Sequence, residues 1–261
     1  MQEFLDVTAL AVLQGVAEFL PISSSGHLVI GQHLLGMNAP GMRLEIFLHV
    51  GTLASIFAFY RRPIAEIIAG LFSHESERRL AAWGYAAKII VSALPAVVVY
   101  FTFKKTVDDM FENVRMVGAL LMFTGAVLAG TRFLPRGTNA VGFLRAFLMG
   151  CGQAIAILPG VSRSGMTLAA ARGGRVGPAA AAEFSFLMSA PLIMGGVALE
   201  FIKGEVSTGS LSWGVLIWGV VLSAVVGYFS LALLLRALKG RWFWLFGPYC
   251  IVAGLLTVCF C

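Results

Sequence analysis

Within fourteen residues the chain sets down the carboxamide of Gln14, the carboxylate of Glu18, the hydroxyls of Ser23, Ser24 and Ser25, and the imidazole of His27. Gln14 and Glu18 are four apart, so on a helix they share one face and together can hold one ligand. His27 lies three residues after Ser24, which brings imidazole and hydroxyl to one helix face, and a base beside a hydroxyl makes an activated nucleophile. A second polar group follows at Ser162, Arg163, Ser164, Gly165 and Thr167. Arg163 offers a permanently charged planar fork matched to phosphate oxygens. Thr167, one turn later, adds a hydroxyl donor. Taken singly, each has an ordinary explanation: serines cap helices, a threonine bonds its own helix backbone, and a histidine at a helix start serves as a structural donor.

The surroundings of these groups make the ordinary explanations insufficient. The 261 residues are 59% hydrophobic and only 12% charged, with mean hydropathy +0.88, where a soluble domain carries roughly 25% charged residues. An all-α polytopic membrane protein is predicted. The formal charge of +6 comes from basic residues in short loops between apolar runs, the positive-inside distribution, so nucleic acid is discounted as a partner. Cys151, Cys250, Cys259 and Cys261 lack the paired spacing of a zinc site and read as free thiols. The N-terminus, with Glu3 and Asp6, has no basic leader region and is expected to stay in the mature protein.

The two polar groups are copies of one another. Gln14 and Gln153, Ala17 and Ala156, Ser23 and Ser162, Ser25 and Ser164, and Gly26 and Gly165 superpose at a constant offset of 139 residues without a gap. Residues 4–20 and 27–37 are too short or too polar to span alone and predict a re-entrant hairpin turning between Pro21 and Gly26. A span over 46–60 stops at Arg61-Arg62-Pro63, which marks the cytoplasmic side and puts the first hairpin on the outer one. A polar, partly helical loop is expected over 61–85. Spans follow at 88–103 and 116–134, separated by a mixed-charge loop holding Lys104, Lys105, Asp108, Asp109 and Glu112. Residues 141–158 and 165–174 predict a second hairpin, broken at Pro159-Gly160, and 183–202, 212–235 and 242–261 three further spans.

Each half is thus a hairpin plus three spans, entering from opposite faces: an inverted-topology repeat, 1–135 and 136–261, with six spanning helices and two hairpins. Serine caps in mid-membrane then acquire a purpose. Two helix N-termini converging on one point present free N–H groups and positive dipole ends to an anion, and Arg163 adds charge there. The predicted ligand is a phosphate or diphosphate. Glu45 and Glu183, at the heads of corresponding spans, read as complements to the helix dipole, His49 as a partner of Glu45, and Trp242, Phe243 and Trp244 as an interfacial belt.

Gln14-xxx-Glu18 followed by Pro-Ile-Ser-Ser-Ser-Gly-His27, together with Pro159-Gly-Val-Ser-Arg-Ser-Gly-Met-Thr167, resembles the undecaprenyl-diphosphate phosphatase family linked to bacitracin resistance, and the resemblance covers the whole chain. It implies an integral enzyme of the bacterial inner membrane that removes one phosphate from undecaprenyl diphosphate and regenerates the carrier for peptidoglycan synthesis. Carried over by position, Glu18, Ser24, His27 and Arg163 correspond to the family's essential residues. Gln14, Ser23, Ser162 and Thr167 support them, and Ser25, Ser164 and Gly165 complete the substrate-binding motifs. Gln14 stands where many members have Glu, which leaves open a divalent cation, Mg or Ca, held by Glu18 and Gln14. The mechanism expected is attack by Ser24 with His27 as base, in a site opening to the periplasmic side; the rival makes His27 the nucleophile. The expected partners are the polyprenyl diphosphate and membrane lipids, with a homodimer left open. A transporter flipping the prenyl phosphate is the competing class, because inverted repeats with broken helices also serve alternating access.

Overall fold

The computed structural model describes residues 2–35, 42–202 and 211–261. Its first two helices, α1 (Gln2–Ala17) and α2 (Ser24–Leu34), rise about 24 and 16 Å at 1.5 Å per residue, short of the roughly 30 Å of bilayer hydrocarbon. They form the hairpin that the polar turn demands. The last two residues expected for its return limb, 36 and 37, lie outside the described residues.

The chain continues through α3 (Met42–Phe59), α4 (Arg61–Leu71), α5 (Ser76–Phe111) and α6 (Val114–Gly130), then α7 (Phe143–Ile155), α8 (Arg163–Gly173), α9 (Pro178–Ile202), α10 (Trp213–Gly240) and α11 (Phe246–Phe260). Short 3₁₀ turns, Thr131–Phe133 and Phe243–Leu245, extend α6 and precede α11. Among the described residues five helices are long and apolar enough to cross a membrane, or six if the bent pair α3 and α4 is one span. The architecture is all-α and polytopic, with five or six candidate crossings among the described residues beside the two hairpins.

Two expected loops are helical. Residues 61–71 form α4, bent by 74° from α3, and 76–85 is the start of α5. Pro63 sits in the first turn of α4, where its missing N–H costs nothing. The mixed-charge segment 104–112 is the tail of α5, 36 residues in all. Its opposite charges fall four apart, Lys104 with Asp108 and Lys105 with Asp109, a spacing that favours helix continuation over a turn.

Helix α1 lies on α10, and α7 lies on α5, while α6 and α11 pack on each other. Glycines permit that last contact: a Cβ on Gly118 would lie 2.9 Å from the Gly254 carbonyl oxygen, and one on Gly125 2.7 Å from that of Gly247, the close backbone approach of small-residue helix pairs in lipid. The central core holds Phe19, Phe184, Phe186 and Phe243, all fully buried. Phe19 and Phe186 meet edge to face, 5.4 Å between centroids, which fixes the turn after α1 against α9.

Candidate active site where two hairpin tips meet

The turn between α1 and α2 is held by Ser23, whose φ of 69° is unusual for a residue with a Cβ. Its Oγ accepts the Gly26 N–H at 3.2 Å, capping α2. The second hairpin repeats the device, the Ser162 Oγ accepting the Gly165 N–H at 3.1 Å. Ser23 and Ser25 hydroxyls stand 3.4 Å apart, and Ser162 and Ser164 hydroxyls 3.3 Å apart. The two tips touch. A Cβ on Gly26 would lie 2.9 Å from the Gly160 Cα, and the Ser164 Oγ donates to the Leu20 carbonyl at 3.2 Å. Gly160 has φ +91°, and any Cβ there would lie 2.3 Å from the Val117 carbonyl oxygen, so only glycine closes the second tip. Thr124 on α6 ties it down, donating to the Gly160 carbonyl at 2.9 Å and accepting the Ser162 N–H at 3.1 Å.

Glu18 is the centre of the arrangement. Its carboxylate is buried and accepts from the Ser24 Oγ at 2.6 Å and from the Gln14 Nε2 at 3.1 Å through Oε2. Its Oε1 pairs with the Arg163 guanidinium. Ser24 and Arg163 are 139 residues apart, so they occupy equivalent positions of the two tips and reach the same carboxylate from opposite sides. His49 of α3 approaches as well, its Nε2 3.6 Å from Glu18 Oε2.

His27 is placed otherwise than its spacing suggests. Its Nδ1 lies 2.9 Å from the Ser23 carbonyl and its Nε2 2.9 Å from the Tyr249 hydroxyl of α11. A carbonyl can only accept, so Nδ1 carries the proton, and Nε2 of the neutral ring takes the tyrosine proton. Neither nitrogen faces Ser24, whose hydroxyl turns back to Glu18 instead. His49 partners Glu45 as expected, but through the backbone: its Nδ1 donates to the Glu45 carbonyl at 2.7 Å, the Glu45 carboxylate accepts from Gln32 at 3.2 Å, and the other ring nitrogen is left to face Glu18. Glu183 meets the Tyr85 hydroxyl at 3.5 Å.

Gln14, Glu18, Ser24 and Arg163 are thus joined in one hydrogen-bonded group, with Ser23, Ser25 and His27 at its edge. Ser162, Ser164 and Gly165 build the second tip. Thr167 binds its own helix, donating to the Arg163 carbonyl at 2.9 Å, and shares a 2.6 Å bond with Ser185 of α9. Sequence reasoning missed Tyr249, which no local spacing links to His27, and Thr124. His49 had a legible signal, an ionisable side chain inside an apolar span, but its neighbour Glu45 drew the assignment.

Among the described residues no three His, Cys, Asp or Glu side chains gather where a metal could bind. The buried Gln14 Oε1 nevertheless lacks a hydrogen-bond partner beside the Glu18 carboxylate. Two oxygen donors of this kind suit a hard cation that takes its remaining ligands from substrate phosphates and water.

Residues 7–256 match the family model described as bacitracin resistance protein BacA. The chain belongs to that family. An undecaprenyl-diphosphatase of Desulforapulum autotrophicum is 34% identical over 275 aligned residues, with 98% of each chain covered. One from Rhodopirellula baltica is 39% identical over 264 residues, covering 99% of this chain and 98% of its own. The relationship extends to Methanosphaera stadtmanae, whose undecaprenyl-diphosphatase is 33% identical over 274 residues. These alignments run almost end to end, so both hairpins and the long apolar helices of this BacA-family chain fall within them.

Proposed function

We propose that this chain is an undecaprenyl-diphosphate phosphatase of the bacterial inner membrane, releasing phosphate and returning undecaprenyl phosphate for peptidoglycan synthesis. The observation that carries the reading is the convergence of Ser24 and Arg163 on Glu18 at the meeting of two capped helix N-termini. The family and its undecaprenyl-diphosphatase relatives supply the substrate.

In this reading the Arg163 guanidinium and the free N–H groups opening α2 and α8 hold the terminal phosphate, with the Ser23 and Ser25 hydroxyls beside it. Ser24 Oγ attacks the terminal phosphorus and its proton passes to Glu18 Oε2. The bond to the bridging oxygen breaks, and undecaprenyl phosphate leaves. Glu18 passes that proton to the departing phosphate, and water then attacks the phosphoserine, giving a proton to the freed carboxylate, which returns it to the Ser24 Oγ as inorganic phosphate departs. Arg163 neutralises charge on the equatorial oxygens, so most of the acceleration comes from positioning and electrostatics. Glu18 replaces His27 as the base because both imidazole nitrogens are engaged elsewhere; His27 and Tyr249 orient the first tip. His49 lends Glu18 a further polar neighbour. A divalent cation, Mg or Ca, would be held by Glu18 and the Gln14 Oε1 with the substrate, and would supply charge neutralisation there.

The two halves, 1–135 and 136–261, are read as inverted repeats, with the prenyl chain lying along apolar surface between them. Arg61, Arg62, Arg132, Arg136, Arg236, Lys239 and Arg241 mark the cytoplasmic side by the charge rule, and the site opens to the periplasmic one.

The test is phosphate release from undecaprenyl diphosphate by purified protein in detergent, with and without chelator, for wild type, Ser24→Ala and Arg163→Ala. Release that both substitutions abolish is the expected result, and the chelator arm reports on the cation. Detergent has no sides, so a carrier that only flips the lipid gives no signal, and absence of release from folded wild type would overturn the proposal.

A further inference from the structure

At the opposite end of α8 from Arg163, a cavity of about 400 Å³ is lined by Arg132, Leu134, Arg136, Arg172, Arg241 and Trp244. Four guanidiniums share one recess, and the ion pairs found among the described residues are those to Glu18, not to any of these arginines. Like charges held together without a carboxylate are costly unless an anion joins them.

The recess is also constructed. Arg172 directs its Nε and Nη2 to the Leu134 carbonyl, at 3.4 and 3.3 Å. Arg136 donates to the Lys239 carbonyl at 2.7 Å. Arg132 lies over the Trp244 ring, 4.7 Å from its centroid. Each anchor uses one edge or face of a guanidinium and leaves other N–H donors to a ligand. Three separate chain segments contribute: the 3₁₀ turn after α6, the last turn of α8, and the turn before α11. The nine steps from Arg163 to Arg172 span about 14 Å of helix, so this recess is distinct from the hairpin tips.

Its surroundings say what kind of anion fits. Phe133, between two lining residues, is 85% exposed, and Leu245, next to Trp244, is 49% exposed. Exposed apolar and aromatic side chains beside a basic recess mark the depth where hydrocarbon meets head groups. We propose that this recess is a binding site for the phosphate of an anionic phospholipid, its acyl chains lying over Phe133 and Leu245. The proposal is independent of the phosphatase reading, since it uses none of the residues of the hairpin tips.

The experiment uses purified, delipidated protein titrated with phosphatidylglycerol in mixed micelles, bound lipid being counted by native mass spectrometry. Arg172→Gln/Arg241→Gln should bind about 30-fold more weakly, at roughly a factor of five for each arginine removed. Arg78→Gln/Arg79→Gln, two arginines at the head of α5, should bind as wild type. Arg172→Lys/Arg241→Lys retains the charge and should keep most of the affinity, and thermal melting verifies that each variant is folded. Should the glutamine pair fail to fold, Arg132→Gln/Arg136→Gln is the substitute, with the same expected loss. Equal binding by the recess and control variants would overturn the proposal. So would displacement of the lipid by millimolar inorganic phosphate, which would make this a site for soluble anions.

Discussion

Replacing Gly26 by alanine tests whether the contact between hairpin tips sets the site. The added Cβ would lie 2.9 Å from the Gly160 Cα, 0.5 Å inside the 3.4 Å at which ordinary contact begins. Both partners are backbone or tightly held, so one tip must retreat by about that amount. Gly26 is two residues from Ser24, and Gly160 three from Arg163; the movement therefore opens the gap between nucleophile and guanidinium. A misplacement of about 1 Å costs on the order of 100-fold in rate, so half that distance predicts a loss of about tenfold in kcat. Stability should change less: overpacking costs about 1–3 kcal/mol, partly offset by the roughly 0.5–1 kcal/mol that alanine gains over glycine in a helix. Gly84→Ala is the control, since a Cβ there meets nothing within 4 Å. Phosphate release and thermal melting, measured on both variants in detergent, supply the two quantities. Wild-type turnover by Gly26→Ala would refute the claim that the tips are in register for chemistry.

Three further outcomes follow from named contacts. Arg163→Lys keeps a charge but loses the planar fork, and kcat/KM should fall by at least about tenfold, the order of one charged hydrogen bond. Tyr249→Phe frees the His27 Nε2 without touching Ser24 or Glu18, so it should lower turnover only several-fold, whereas a loss as large as that of Ser24→Ala would return His27 to the role of base. His49→Ala should reduce kcat while leaving the helical content by circular dichroism unchanged; unaltered kinetics would remove His49 from the environment of Glu18.

The hairpins were legible because their cause is local: serine, glycine and proline cannot continue an apolar span, and the offset between Gln14 and Gln153 exposed the repeat. The convergence on Glu18 was half legible. Equivalent positions announced that Ser24 and Arg163 would meet, but helical spacing assigned Ser24 to His27. That inference failed because Ser24 is the first residue of α2, following a positive-φ serine, and its side chain points back across the turn to Glu18 instead of along the helix. Tyr249 and Thr124 act across 222 and 36 residues, distances over which periodicity carries no signal. The stretch 61–85, expected to be partly helical, is helical over most of its length, and the loop expected over 104–112 is helical too. A run of mixed charge does not by itself make a turn, because charges four apart are equally at home on an exposed helix face.

The central claim is that Ser24 attacks phosphorus with Glu18 receiving its proton, and one measurement reaches it directly. Wild-type protein is mixed with undecaprenyl diphosphate labelled in the terminal phosphate, under single-turnover conditions, quenched in acid within milliseconds, and digested for mass spectrometry. The account predicts an acid-stable phosphoserine at Ser24, which is absent from Ser24→Ala and fails to accumulate at the wild-type rate in Glu18→Gln. An acid-labile phosphohistidine at His27, with Ser24 unlabelled, would contradict it.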